Sequence, residues 1–388
     1  MNVQETKEQL IAELIRLAFA EDIGDGDHTT LCCIPATEMG KSQLIVKEDG
    51  VLAGVEMAER IFHTFDPDLK MTTFIHDGAE VKKGDIAFVV EGKVQSLLQT
   101  ERLMLNVMQR MSGIATTTRK YVKALEGTKT RVLDTRKTTP GLRMVEKEAV
   151  KIGGGVNHRI GLFDMILLKD NHVDFAGGIE AAITRCHQYL KEKNKDLKIE
   201  IEVRNFDELQ EAMRVGGIDR IMLDNFNIEN TKKAVEMVAG RYELESSGGI
   251  TFATLRDYAE CGVDYISVGA LTHSVKGLDM SFKVAIPFSL KERRCPYSLT
   301  QPIRREGLPT TKAYGGISLV TTAPAPIMAY SPIVWPQTIV AFAPIEAPLP
   351  TYVFKYWSLR ETALRGLTTF VKTQLGPKKT SSPQVTPV

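Results

Sequence analysis

Residues 198–225 read KIEIEVRNFDELQEAMRVGGIDRIMLDN, which contains two short apolar runs with an amphipathic segment between them. The runs IEIEV and IMLD have the length and the aliphatic content of buried strands. The segment DELQEAMRV has helical spacing, and Asn205 or Asp207 can cap its first turn. Two buried strands joined by one helix predict a parallel pair with a right-handed crossover.

The same strand-and-helix unit repeats on both sides of this stretch. The six predicted strands are 130–137 (TRVLDTRK), 164–170 (DMILLKD), 198–204 (KIEIEVR), 220–225 (RIMLDN), 242–248 (YELESSG) and 265–270 (YISVGA). Alternating strands and helices are typical of α/β proteins with a parallel sheet, and six units in a row predict a barrel.

The chain before residue 114 has a different pattern. Residues 8–20 predict an amphipathic helix, and 41–93 alternate apolar and polar residues between glycines, which predicts a small antiparallel β region. Residues 94–113 are apolar nearly all round, which predicts a buried helix. The segment EDIGDGDHTT (21–30) reads as an Asx-capped turn, with an acidic loop near a metal as the alternative.

One arginine interrupts the helix predicted for residues 94–113. Arg102 has helical spacing to Leu98 and Leu105 and is therefore predicted to be buried. A buried arginine needs an anionic partner. That partner is either an acid of this chain, such as Glu101, or an anionic ligand, which Arg102 could reach across a subunit interface.

Polar or charged residues end five of the six predicted strands, and a glycine ends the sixth. In chain order these ends are Arg136-Lys137, Lys169-Asp170, Glu202 with Arg204, Asp224, Ser247-Gly248-Gly249 and Gly269. The carboxyl ends of parallel barrel strands meet on one face, where sites are built, and strand residues that point inward are otherwise apolar. The pattern therefore predicts a functional cluster at this face.

The charges of the cluster indicate the ligand. Lys137, Lys169 and the other cations at this face, namely Arg136, His158 and Arg159, suit a ligand with several negative charges. Glu202 and Asp224 could hold Mg²⁺ or ribose hydroxyls. Ser247-Gly248-Gly249 is expected to open the next helix, where free backbone N–H groups suit a phosphate. Alternatively, His158 is a structural histidine whose hydrogen-bond partners belong to the protein.

The composition excludes several classes of protein. The 388 residues include 49 basic and 48 acidic ones, which argues against a general nucleic-acid-binding or membrane-surface protein. Five cysteines without a CxxC pair argue against a zinc ribbon or a disulfide framework. Acidic residues follow the first amphipathic run, unlike in secretory or transit signals. We therefore expect a reducing, cytoplasmic location, with no nucleic-acid or membrane partner.

Several long motifs identify a resemblance. The runs TERLMLNVMQRMSGIAT (100–116), LDTRKTTPGLR (133–143), GGGVNHRIGLFDMILLKDNH (153–172), ESSGGI (245–250) and SVGALTHS (267–274) are similar to the quinolinate phosphoribosyltransferase family. The resemblance extends over about residues 8–284. It implies a type II phosphoribosyltransferase fold, in which an N-terminal α/β sandwich (1–113, with 275–286 packing back on it) precedes an incomplete α/β barrel of about six strands (114–274).

The resemblance also implies a reaction and a set of site residues. Quinolinate and 5-phosphoribosyl 1-pyrophosphate would give nicotinate mononucleotide, CO₂ and pyrophosphate with Mg²⁺, a step of NAD biosynthesis, in a homo-oligomer (dimer or hexamer). The residues carried over are Arg136, His158, Arg159 and the neighbouring subunit's Arg102 for the carboxylates, Lys137 and Lys169 for the phosphates, Glu202 and Asp224 for ribose and Mg²⁺, Ser247, Gly248, Gly249, Gly269 and Ala270 for the 5-phosphate, and Thr138 and Val268 as further substrate-binding positions.

The last quarter of the chain departs from the family pattern. Residues 287–388 carry 12 basic and 4 acidic residues, whereas 1–286 carry 37 and 44, and 14 of the 17 prolines lie in this extension. Proline-rich, weakly periodic sequence predicts disorder or poor packing rather than a folded module.

Three other functions fit parts of the sequence. A nicotinate phosphoribosyltransferase would need fewer cations than this cluster supplies. A Schiff-base aldolase using Lys169 would need apolar walls around that lysine, and its neighbours are charged. A non-catalytic isoform, which would modulate the normal oligomer through its divergent C-terminus, is the remaining alternative.

Overall fold

The computed structural model describes residues 3–285. The prediction of disorder for 287–388 lies outside the described residues. No helix within 3–285 combines the length and the apolar character needed to cross a membrane.

The N-terminal region is built on an antiparallel sheet. Its elements are α1 (Val3–Ile23), α2 (His28–Cys33), β1 (Met39–Val46), β2 (Gly50–Val51), α3 (Val55–Phe65), β3 (Lys70–Thr73), β4 (Glu80–Val81), β5 (Ile86–Lys93) and α4 (Val94–Ala124). The predicted helix 8–20 is the middle of α1. Helix α3 has 11 residues, lies inside the predicted β region and was not predicted. Asp27 caps α2 by accepting the N–H of Thr30, so the Asx-capped turn is confirmed.

A C-terminal strand completes this sheet. Strand β12 (Met280–Val284) pairs antiparallel with β1, and the strand order is β12-β1-β5-β3. The rings of Phe62, Phe88 and Phe282 pack together with centroids 5.9–6.5 Å apart, so α3, β5 and β12 share one core. Residues 275–285, the described part of the predicted returning segment 275–286, thus carry the chain back onto the N-terminal sheet.

Helix α4 is longer than predicted and passes beside the returning segment. It runs through 31 residues instead of stopping at 113. Gly113 lies where α4 and the returning segment come very close together, because a Cβ at this position would be 2.3 Å from the Lys276 carbonyl oxygen. The glycine lets α4 continue without a clash, so here it marks packing and not a helix end.

The predicted burial of Arg102 is wrong for the single chain. Arg102 is exposed, and Leu98, one turn earlier, is 41% exposed. Helix α4 points Leu103, Met104 and Met108 into the core and leaves the Leu98–Arg102 stripe outside. Apolar spacing identified the helix, but the packing of its neighbours decided which face is covered.

The second region contains the six predicted strands. They are β6 (Arg131–Leu133), β7 (Ile166–Leu168), β8 (Ile199–Val203), β9 (Arg220–Asp224), β10 (Glu243–Ser247) and β11 (Tyr265–Ser267). All pairings are parallel, in the order β6-β11-β10-β9-β8-β7. The edge strands β6 and β7 do not pair with each other, so the barrel stays incomplete at this point. The free edge of β6 makes only the isolated bridge Leu133–Val156, to the loop before β7.

Helices follow the strands as expected for βα units. They are α5 (Arg143–Ile152), α6 (Asp170–Ala176), α7 (Ile179–Lys193), α8 (Phe206–Val215), α9 (Ile228–Val238), α10 (Leu255–Glu260) and α11 (Ala270–His273). Of the two predicted caps of α8, Asn205 is the one that forms, because its side chain accepts the N–H of Glu208. Strand β8 is buried on both faces, with its isoleucines on one side and Glu200 and Glu202 on the other.

Candidate active site

A cavity of about 330 Å³ opens at the carboxyl ends of the parallel strands. Its walls are Asp134, Thr135, Arg136, Lys137, His158, Arg159, Leu167, Lys169, Met222, Glu245, Ser247 and Ser267. Six of these were predicted as site residues, which shows that the strand ends do converge. A wider groove of about 670 Å³ at the opposite end of the barrel contains none of the predicted residues.

The other predicted residues divide into two sets. Eight predicted residues lie in the same strand-end segments but do not line the cavity: Thr138, Glu202, Asp224, Gly248, Gly249, Val268, Gly269 and Ala270. Arg102 is the exception, because it lies on α4 and outside the cavity wall.

Lys169 and Glu202 meet at the ends of neighbouring strands β7 and β8. The Nζ atom of Lys169 donates to Oε2 of Glu202 at 2.6 Å. Glu202 is nearly buried, while the Lys169 side chain is 45% exposed. Asp224 lies on the next strand in register with Ser247 and accepts a hydrogen bond from the Asn225 amide. Lys169 therefore reaches the cavity from beside Glu202, and Asp224 ends the strand on the other side of Glu202.

A close contact with Asn225 requires a glycine in the turn after β10. Gly248 has φ +95°, and a Cβ on it would come within 2.2 Å of Asn225 Oδ1. The prediction that this turn opens the next helix is wrong, since α10 begins only at Leu255. An extra turn intervenes, in which Thr254 Oγ1 accepts the N–H of Thr251.

Two guanidinium groups are close together in the cavity wall. Burial lowers the pKa of Arg159, and the positive charge of Arg136 lowers it further. Arg159 is only 8% exposed and donates to the Met165 carbonyl at 3.4 Å. Two neighbouring cations, one of them buried, favour an anionic ligand between or beside them.

The nitrogen atoms of His158 both face protein groups. Nδ1 accepts the backbone N–H of Arg159 at 2.7 Å, and Nε2 lies 2.8 Å from Oε2 of Glu200. Burial lowers the pKa of His158, although Glu245 opposes the shift. A neutral His158 is therefore favoured over the cation expected from the sequence, and Nε2 faces Glu200 with no hydrogen-bond partner among the described residues.

Buried acids form the floor of the barrel below His158. Burial raises the pKa of Glu200 to about 7 and that of Glu245 to about 8. Arg220, at the start of β9, lies 3.3 Å from Glu245 and 4.1 Å above the ring of Tyr265. These groups were not predicted, although the alternation in IEIEV already places Glu200 on the same strand face as Glu202.

His158, Glu200 and Glu245 come close enough to suggest a metal centre. Their ligand atoms lie within 4.8 Å of one another. However, Nδ1 of His158 is the acceptor for an N–H group, so the proton of the neutral ring is on Nε2. A protonated Nε2 cannot ligate a cation, and Arg220 already supplies positive charge. The geometry favours a cluster of buried acids balanced by Arg220, in which Nε2 of His158 and both carboxyl oxygens of Glu200 have no hydrogen-bond partner within residues 3–285.

A second buried pair holds the segment that carries His158 and Arg159. Lys147 and Asp134 form an ion pair with no more than 1% of either side chain exposed. Asp134 accepts the backbone N–H of His158 at 2.9 Å, and Lys147 donates to the His158 carbonyl at 3.3 Å. Burial raises the pKa of Asp134 to about 6, which Lys147 opposes. Both residues lie in or beside LDTRKTTPGLR, yet the motif alone assigned them no role.

Comparison with known proteins agrees with this geometry. Two family models match the chain: the quinolinate phosphoribosyl transferase N-terminal domain at residues 27–112 and its C-terminal domain at 114–283. The chain belongs to the quinolinate phosphoribosyltransferase family. The boundary between the two matched domains falls inside α4, so one continuous helix joins the N-terminal sheet to the barrel.

Members of the family from plants and bacteria are similar to the chain. Quinolinate phosphoribosyltransferase (decarboxylating) 1b of Nicotiana tabacum is 43% identical over 296 residues, which is 72% of this chain and 84% of that protein. The probable nicotinate-nucleotide pyrophosphorylase of Bacillus subtilis is 38% identical and matches 97% of its own length. The structure of NadC from Streptococcus pyogenes has a TM-score of 0.67 at 40% identity, covering 70% of this chain and 95% of that one.

Proposed function

We propose that this chain transfers the phosphoribosyl group of 5-phosphoribosyl 1-pyrophosphate to quinolinate. One carboxylate leaves as CO₂, and nicotinate mononucleotide and pyrophosphate are released. The observation that carries the proposal is one cavity, in the domain that matches the family, with Arg136, Lys137, Arg159 and Lys169 all in its wall. Four cations suit a dicarboxylate together with a polyphosphate.

The cations divide by their chemistry. The forked guanidinium groups of Arg136 and Arg159 match the geometry of carboxylates, so we assign them to quinolinate. Lys137 and Lys169 are mobile point charges that suit phosphate and departing pyrophosphate. Because the charge on pyrophosphate grows as its bond to ribose breaks, these lysines stabilise the transition state more than the ground state.

The acidic pair suits the ribose and the metal. Glu202 and Asp224 end adjacent strands, and Mg²⁺ is commonly held by one or two carboxylates together with substrate phosphates. Glu202 offers a carboxylate oxygen beside Lys169 and Asp224 offers one at the end of the adjacent strand, so the donor set fits, and Mg²⁺ bound there would neutralise pyrophosphate charge. Without the metal, Lys169 restrains Glu202 through the 2.6 Å contact.

Arg102 supports a homo-oligomer with shared sites. It is exposed, and its guanidinium group makes no hydrogen bond or ion pair in the part of the chain that the structure describes. The apolar Leu98 beside it is also uncovered. We assign Arg102 to the cavity of a neighbouring subunit, where it adds a further cation for a quinolinate carboxylate.

The reaction itself is the first test. We expect the full chain, given quinolinate, phosphoribosyl pyrophosphate and Mg²⁺, to form nicotinate mononucleotide, which mass spectrometry detects. Nicotinate in place of quinolinate serves as the control and should give no product. If folded protein forms no product with quinolinate, or forms it equally well from nicotinate, the proposal is wrong. Residues 1–286 tested alongside show whether the extension obstructs the site.

Mixed oligomers test the shared site. Arg102→Ala and Lys169→Ala should each abolish most activity alone, but co-expressed subunits should recover about a quarter of wild-type activity, because half of randomly formed dimers contain one intact site. The matched control mixes Lys137→Ala with Lys169→Ala, where every site keeps one lesion and no recovery is expected. If the mixture of Arg102→Ala and Lys169→Ala recovers no more activity than this control, Arg102 does not complete a neighbouring subunit's site.

A further inference from the structure

A buried acid anchors the loop that follows β6. This loop, residues 134–142, has no regular helix or strand and carries Arg136, Lys137 and Thr138. Glu146, on α5, is fully buried and accepts the backbone N–H of Thr139 at 3.1 Å through Oε2. Its other oxygen accepts from Nε of Arg110, on α4, at 2.7 Å.

Arg110 connects three parts of the structure. Besides Glu146, its Nη2 donates to the Thr139 hydroxyl at 2.8 Å and to the Thr272 carbonyl at 3.1 Å. Helix α4, the loop after β6 and helix α11 therefore meet at one guanidinium group. The fork geometry allows these contacts together, whereas an ammonium group has no such planar arrangement.

Thr272 carries the connection to Lys137. Thr272 is fully buried on α11, and its hydroxyl donates to the Lys137 carbonyl at 2.8 Å. A Cβ at Gly269 would lie 3.1 Å from Lys137 Cδ, so the lysine stem passes close to the start of α11. The main chain of Lys137 is thus held by a buried hydroxyl group of α11.

We infer that Arg110 and Thr272 are positioning residues for Lys137. The inference rests on the proposed function, in which Lys137 meets the phosphates of the substrate. A lysine has a flexible stem, so its ammonium is placed accurately only if the main chain beneath it is fixed. A shift of about 1 Å at a catalytic group can cost on the order of 10²-fold in rate. Removing one of the several hydrogen bonds that hold this main chain should lower the rate by less than that.

The Thr272 hydroxyl can be removed with little change in shape. We expect Thr272→Val to lower kcat about tenfold, with KM for quinolinate changed less than twofold, because the anchor acts on the phosphate-binding lysine. Thr272→Ser keeps the hydroxyl and should restore kcat to within about threefold of wild type. Arg110→Lys keeps the charge but loses the fork, and should lower kcat as well.

A matched buried threonine separates positioning from general stability. Thr130 precedes β6 at the opposite end of the barrel, and its hydroxyl donates to the Val263 carbonyl at 2.7 Å. Thr130→Val makes the same chemical change and should leave kcat unchanged. If Thr272→Val keeps wild-type kcat, or loses no more than Thr130→Val, the inference is overturned. An inactive wild-type enzyme would instead contradict the proposed function.

Discussion

Replacing Lys137 or Lys169 with alanine is expected to lower kcat on the order of 10²–10³-fold. Both side chains line the cavity, and Lys169 also contacts Glu202 at 2.6 Å. Each would face negative charge that grows as pyrophosphate leaves, and a fixed cation in a partly enclosed site stabilises that charge without reorganising. Turnover is measured as nicotinate mononucleotide formed at saturating substrates.

The control for this pair is a lysine with the same charge and no place in the cavity. Lys195 borders the groove at the opposite end of the barrel and is exposed. Lys195→Ala should therefore keep wild-type turnover. Circular dichroism of each variant verifies that the fold is intact. Wild-type kcat in either Lys137→Ala or Lys169→Ala would rule out the role assigned to that lysine.

Lys147→Met is expected to lower the free energy of unfolding by about 3–5 kcal/mol. It leaves the carboxyl of Asp134 buried without its cation, and it also removes the donor to the His158 carbonyl. Methionine has a similar length, so the loss comes from charge and hydrogen bonding more than from a cavity. Urea unfolding, followed by fluorescence or circular dichroism, measures the difference.

An exposed ion pair provides the comparison for Lys147. Lys123, on α4, lies 2.6 Å from Glu80, and both side chains are more than half exposed. Lys123→Met should cost less than about 1 kcal/mol, because water already solvates both charges. Adding Asp134→Asn to Lys147→Met should recover part of the loss, because the buried negative charge is then gone. Equal losses in Lys147→Met and Lys123→Met would show that the buried pair does not stabilise this segment.

The strands and their ends could be predicted because the signals are local. Each buried strand is a short apolar run, and parallel strands joined by helices bring their carboxyl ends to one face. Arg136 and Lys169, which are 33 residues apart, could thus be placed in one cavity without a structure. The same reasoning could not detect α3, because its short amphipathic pattern lies among alternating strands.

The supporting network could not be predicted from local patterns. Arg110 and Thr272 are 162 residues apart, and neither lies at a strand end. The sequence spacing of Arg102 indicated burial, yet its face of α4 is exposed in the single chain. Which helix face is covered depends on the elements that pack against it, and such contacts leave no periodic signal in the chain.

The amino-acid sequence by itself determined the α/β class, the six parallel strands and the cationic cluster at their ends, because periodicity and strand polarity act over a few neighbouring residues. Only the tertiary structure decided where the barrel stays open, which nitrogen of His158 carries its proton and how Lys137 is held. These features depend on contacts between distant segments, where burial and hydrogen-bond geometry set charge and position. The physical division is between local backbone preference and long-range packing.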